Sequence, residues 1–180
     1  MSRMWWALPF LALLPEPSVY PVNFQGAPFV ATFNQLEEHP RLVGIFSPTC
    51  ASCLQTCSRI REFLEEHDNP SLRVFILWAP FETGDNLGLA RQAASRYLAD
   101  PRALHFWDLW KFGSRMYSDL LRITPENLWG VVLVFPPGVT WETQPAAPSF
   151  WMQSRNLPVG TPFTKKLLEI QLERWMENED

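Results

Sequence analysis

The 180-residue sequence predicts an α/β fold, and three observations carry that prediction. Strand-length apolar runs occur at Leu42–Phe46, Arg73–Trp78 and Leu128–Phe135, and helix-length amphipathic stretches separate them. The first run is apolar throughout, as a central strand buried on both faces requires. Its exit, Ser47-Pro48-Thr49, leads straight into a cysteine pair at a helix start, Cys50-Ala51-Ser52-Cys53. With 47% hydrophobic and 19% charged residues, a chain of this length forms one domain with a sizeable core. Nine Trp and 13 Phe point to a bulky core and leave room for an apolar docking surface.

In chain order, Met4–Leu14 is an apolar run behind a single positive charge at Arg3. It has the outline of a signal peptide, is too short to span a bilayer, and equally fits an extension packed on the domain. Both an exported and a cytoplasmic location therefore stay open. Residues 1–28 read as an apolar, then Pro-rich, segment, and 29–180 as the folded domain. Phe29–Phe33 either adds a strand or leads into a short helix around Asn34–His39, which Pro40 ends.

The helix that follows runs from about Cys50 to His67 and stops at Asp68-Asn69-Pro70. A disulfide needs Cα atoms about 4.4 to 6.8 Å apart, which residues i and i+3 satisfy at a helix start. At such a start the free N–H groups and the positive end of the helix dipole favour thiolate. Cys50 is thus the expected nucleophile and Cys53 the resolving thiol. Cys50, Cys53, Leu54, Cys57, Ile60 and Leu64 share one stripe, so Cys57 points inward, either as a small hydrophobe or as a third ligand.

Arg73–Trp78 is the second central strand, and Ala79–Gly84 leads from it to a helix over Asp85–Leu98. In an α/β sheet ligands gather at that edge, so Glu82 and Asp85 are candidate proton carriers; as solvated loop charges, Asp85 would simply cap the helix. A short strand follows at 103–107, and Asp108 caps a helix over Leu109–Leu121 with Phe112, Met116, Leu120 and Leu121 inward. After Leu128–Phe135, Pro136-Pro137-Gly138 turns into Val139–Trp141 as a hairpin. Gln144–Pro162 reads as a loop in which Phe150-Trp151-Met152 either covers the site or packs on the surface. Thr161-Pro162 starts the last helix, whose buried face carries Phe163, Leu167, Leu168, Leu172, Trp175 and Met176.

From roughly Leu36 to Trp141 this order of strand, Cys-x-x-Cys helix, strand, inserted helix and strand, helix and final strand resembles the thioredoxin-like superfamily, in particular its redoxin branch. The resemblance implies a three-layer α/β/α sandwich with a mixed sheet of four to five strands and redox activity at Cys50 and Cys53, with Thr49, Ala51, Ser52, Trp129 and Gly130 facing the substrate. Three positions depart from the family pattern. Gly44 stands where a buried acid is usual, Thr49 where an aromatic is usual, and Gly130 near the place of a cis-proline, the nearest proline being Pro125.

A net charge of −4, with no Lys/Arg cluster larger than a pair, excludes general affinity for nucleic acid or anionic membrane. Phosphate-loop, nucleophile-elbow and His-Glu-x-x-His patterns are absent, and His39, His67 and His105 are scattered. Three function classes follow. The first is a thiol-disulfide oxidoreductase needing no bound cofactor and acting on a protein or small-molecule disulfide. The second is soft-metal binding through Cys50, Cys53 and Cys57, and the third a non-catalytic docking module. Oligomeric state is not encoded in any motif.

Overall fold

The computed structural model describes residues 16–176; the apolar run Met4–Leu14 lies outside them. Seven strands form one sheet, namely β1 (Val19–Pro21), β2 (Arg41–Phe46), β3 (Arg73–Trp78), β4 (Ala103–Trp107), β5 (Val131–Phe135), β6 (Phe150–Gln153) and β7 (Thr161–Pro162). Five helices join them: α1 (Phe29–Gln35), α2 (Ala51–Glu66), α3 (Leu87–Tyr97), α4 (Phe112–Leu121) and α5 (Lys165–Met176). The strand order is β1-β4-β3-β2-β5-β6-β7. β2, β3 and β4 are parallel, β5 runs antiparallel to β2, and β6 antiparallel to β5. None of the described helices is long and apolar enough to cross a membrane.

The pleat divides the core into two layers of different composition. On β2 and β3, Gly44 faces Ile76, and Phe46 faces Trp78 with ring centroids 6.2 Å apart. On the opposite face Phe75 meets Phe29 and Phe33 of α1. Phe112 and Tyr117 of α4 pack on Trp141 in the same layer. Edge-to-face contacts such as Phe33–Phe135, at 5.1 Å, dominate this layer. Much of the large aromatic content thus fills the space between the sheet and α1 and α4.

Several expectations are corrected. The sheet has seven strands rather than four to five, because β1 pairs with β4, and β6 and β7 extend the opposite edge. β1 lies upstream of residue 29, and the stretch 144–162, expected as a loop, supplies both β6 and β7. Phe29–Phe33 belongs to a helix, not a strand. Val139–Trp141 forms no hairpin arm because the Asn34 side chain takes both backbone groups of Trp141, accepting its N–H at 2.8 Å and donating to its C=O at 2.7 Å. Helix α3 is capped by Asn86, which accepts the Leu89 N–H, rather than by Asp85. The cap of α5 is Thr164, which accepts the Leu167 N–H, rather than Thr161. Helix α4 begins at Phe112 with Lys111 at the N-cap position rather than Asp108, whose carboxylate, from three residues further upstream, still accepts N–H from Phe112 and Gly113 at 2.8 and 2.9 Å. Leu120 of α4 is exposed rather than inward.

Two buried polar residues tie the layers together. Arg41, fully buried, donates to the carbonyls of Phe33, Pro136 and Val139 and lies 4.2 Å over the Phe33 ring, joining α1 to the turn after β5. His105 on β4 accepts from the Trp78 indole N–H at Nδ1, 3.2 Å away, and its Nε2 donates to the Leu98 carbonyl at 3.0 Å. That arrangement needs a neutral ring with its proton on Nε2.

Burial lowers the His105 pKa to about 4, against an ordinary 6.5. The unfolded chain therefore takes up a proton below pH 6.5 that the native ring refuses. Stability from this residue is complete above pH 6.5 and lost as pH falls from 6.5 towards 4. Between pH 7 and pH 5 the loss amounts to about 2 kcal/mol. Urea unfolding at the two pH values should show that difference in the wild type and lack it in His105→Gln; equal pH dependence in both would refute the assignment.

Candidate active site

β2 sets the site. All six of its residues are buried, and it lies at the centre of the sheet between β3 and β5. At its exit the chain closes a turn in which Ser47 Oγ accepts the Thr49 N–H at 3.2 Å and Ser47 O accepts the Cys50 N–H at 3.4 Å. This delivers Cys50, with extended φ and ψ, to the N-cap of α2. An N-cap side chain normally offers oxygen to a free N–H of the first turn. Here the acceptor is sulfur: Cys50 Sγ takes the Cys53 N–H at 3.2 Å.

The two thiols are electrostatically opposed. A bond from the Cys53 thiol does most to bring Cys50 down to a pKa of about 6. The Ser52 hydroxyl, 3.2 Å from Sγ, and the Cys53 N–H add to it, against burial and the nearby Glu82 charge. Burial, and the same thiol bond, push Cys53 far up. Cys57, one turn further along α2, is also fully buried and raised by burial. The three cysteines are free thiols. Among the described residues no group of three or more His, Cys, Asp or Glu side chains is placed to hold a metal ion, so Cys50, Cys53 and Cys57 do not assemble as a ligand set.

The facing wall comes from one end of the β5–β6 pair, where the start of β5 meets the end of β6. Val131 pairs with Gln153, so the residues before β5 lie beside those after β6. Gly130 donates to Ile45 O at 2.7 Å and adopts φ +69, a left-handed conformation that glycine tolerates best. A Cβ at Gly130 would come within 2.5 Å of the Arg155 Cγ and Cδ, so the arginine stem occupies the space over this glycine. Gln153 Oε1 accepts the N–H of Arg155 and of Leu157, fixing the turn that carries the arginine. Its guanidinium lies 3.2 Å over the Trp129 ring and donates through Nη1 to the carbonyls of Asn127 and Trp129. On its other side Trp129 stacks on Phe81 at 5.3 Å, and Lys111 Nζ sits 5.1 Å over Phe81.

These parts enclose an open hollow of about 450 Å³ against Cys50. Of the residues expected from sequence, Cys50, Ala51, Ser52, Trp129 and Glu82 line it. Thr49 lies on a neighbouring hollow with Ala51 and Ser52, and its hydroxyl donates to Asp85 at 2.6 Å and lies 3.5 Å from Glu82. Asp85 also accepts the Glu82 N–H, so its carboxylate is engaged in organising this loop. The space beside Gly44 is filled by Phe46 and Ile76, leaving no room there for a buried acid.

Ser154, Arg155 and Asn156 line the hollow and were missed by sequence reasoning. They sit in the stretch read as a loop. The signal that finds them is the short apolar run Phe150–Met152 taken as a strand antiparallel to β5, which brings the next residues beside Gly130.

No family model matches the sequence, and no curated protein matches it. Solved structures do share its fold. A secreted disulfide oxidoreductase of Mycobacterium tuberculosis, homologous to E. coli DsbE, superposes with TM-score 0.51 at 13% identity, over 85% of this chain and 92% of that one. A thiol:disulfide interchange protein of the thioredoxin family from Chlorobium tepidum TLS gives TM-score 0.51 at 10% identity, over 88% and 95% of the respective chains. The parallel β4-β3-β2 core, the antiparallel β5 and the cysteine pair at the start of α2 together give this chain the thioredoxin-like fold.

Proposed function

We propose that this protein is a thiol-disulfide oxidoreductase in which Cys50 attacks and Cys53 resolves. The observation that carries the reading is the pairing of an N-capping Cys50 sulfur, held near a pKa of 6, with a buried Cys53 thiol that donates to it. A nucleophile ionised at neutral pH stands beside a partner that keeps its proton until needed. The Cys50 thiolate displaces one sulfur of a partner disulfide, giving a mixed disulfide and one free thiolate. Loss of the charge on Cys50 removes what held the Cys53 proton. Cys53 then attacks Cys50 Sγ, releasing the second thiol and leaving the Cys50–Cys53 disulfide. Glu82, on the rim of the same hollow, is the acceptor we assign to the Cys53 proton. The likeness in fold to two proteins described as disulfide oxidoreductase and disulfide interchange protein supports the reading.

Thiolate ultraviolet absorbance of the reduced protein should titrate with a midpoint near 6, and Cys50→Ser should abolish that step. A first thiol midpoint of about 8.5, the ordinary value, would leave a docking module as the better reading.

The reduction potential follows from the same asymmetry. In this fold, attacking thiols of pKa about 7 accompany potentials near −270 mV, and those of about 3.5 accompany potentials near −120 mV, because a stabilised thiolate favours the reduced form. Equilibration with glutathione buffers, followed by Trp fluorescence, should give a reversible two-electron transition between those limits. Absence of any transition, or its persistence in Cys50→Ser, would defeat the proposal.

A further inference from the structure

We propose that the hollow beside Cys50 selects disulfides whose substituents carry a carboxylate, with Arg155 as the group that binds it. The inference rests on the thiol-disulfide reading above and names the substrate class at that site.

Both backbone bonds of Arg155 are made through Nη1, which leaves the Nη2 edge of the guanidinium fork for a ligand. Stacking on Trp129 and the closed turn at Gln153 hold the fork in place, so little side-chain freedom is lost on binding. Arg155 lines the same hollow as the Cys50 nucleophile; burial lowers its pKa, and the anionic charge at Cys50 and Glu82 acts against that shift. A volume of about 450 Å³ suits one small molecule. Ser52, Ser154 and Asn156 make much of the remaining lining polar. The anionic side chains on the hollow are Glu82 and the Cys50 thiolate, which favour a cationic substituent. Arg155 thus decides whether a negative substituent is welcomed or repelled.

The reaction is that of the previous subsection with R an acid-bearing group. The Cys50 thiolate, the Cys53 thiol and RSSR give the Cys50–Cys53 disulfide, one RS⁻ and one RSH, so the protein loses two electrons and the substrate gains them. Arg155 makes and breaks no bond; it positions the carboxylate so that one substrate sulfur comes to Cys50.

Reduced protein should be mixed with three small disulfides that differ in charge: dithiodipropionate, with two carboxylates; bis-hydroxyethyl disulfide, which is neutral; and cystamine, with two ammonium groups. The second-order rate constants are read by stopped-flow Trp fluorescence. Intrinsic reactivities cancel when each variant's dianion-to-neutral ratio is divided by that of the wild type. In Arg155→Gln that ratio should fall about fivefold, the effect of one partly exposed ion pair, and the cystamine-to-neutral ratio should rise. Arg155→Lys, which keeps the charge and an aliphatic stem over Gly130, should recover much of the loss, and raised salt should shrink the wild-type preference. A general loosening of the site would slow all three disulfides together and leave the ratios unmoved. Unmoved ratios overturn the role of Arg155 alone, whereas no Cys50-dependent reaction with the neutral disulfide overturns the thiol-disulfide reading beneath it.

Discussion

The site depends on one contact, the Cys53 N–H directed at the Cys50 sulfur. A helix start leaves N–H groups without partners, and the side chain at the cap must accept one. A neutral thiol is a weak acceptor, whereas a thiolate is a strong one. Capping α2 with cysteine therefore couples helix formation to ionisation: the helix start favours the charged sulfur, and the charged sulfur completes the helix start. The Cys53 thiol adds a second donor to the same atom, which explains why the two thiols move in opposite directions although both are buried. Cys57, on the same stripe one turn along, lies beyond the cap and has only burial and the Cys50 charge acting on it, both of which keep it protonated.

The second constraint is how closely the facing wall approaches. Gly130 has no side chain, adopts φ +69 and is bonded to Ile45 at the end of β2, so the chain before β5 is held against the strand that delivers Cys50. The space left over Gly130 is taken by Arg155, a residue that reaches it only because β6 pairs antiparallel with β5. Placing a charged side chain there changes the character of the hollow. The wall presents a guanidinium on an indole, with the Trp129–Phe81 stack continuing to Lys111.

The parts legible in the sequence were those whose signal is local. Leu42–Phe46 reads as a buried strand because every residue is apolar, and the stretch from about Cys50 to His67 reads as a helix with an inward cysteine stripe; in the structure the strand is Arg41–Phe46 and the helix Ala51–Glu66, with Cys50 and His67 as its caps. The core layout of β2, α2, β3, α3, β4 and α4 follows from the same alternation. What could not be read were features fixed by distant pairings. β1 is three residues long and exists through its pairing with β4, and β7 is two residues long. Asn34 diverts Trp141 from a hairpin across more than a hundred positions of sequence. Asn86 rather than Asp85 caps α3 because Asp85 is engaged with Thr49 and the Glu82 N–H, a competition invisible without the loop's conformation. Arg155 was hidden for the same reason: nothing beside it in sequence resembles a site.

Proton movement ties these constraints together. A carboxylate behind the cysteine pair would have to sit beside Gly44, where Phe46 and Ile76 already meet. Introducing one would require both a cavity among apolar side chains and a partner for the buried charge, each costly in a close-packed layer. On the proposed reading, the proton of Cys53 therefore leaves towards the hollow, where Glu82 stands. Substrate entry, thiol release and proton transfer then share one opening, lined by both Glu82 and Arg155. A carboxylate-bearing substrate held at Arg155 would leave the Glu82 side free for that proton, whereas a cationic one drawn to Glu82 would occupy its acceptor. On that reading the pair of charges proposed to select the substituent would also keep the proton route clear.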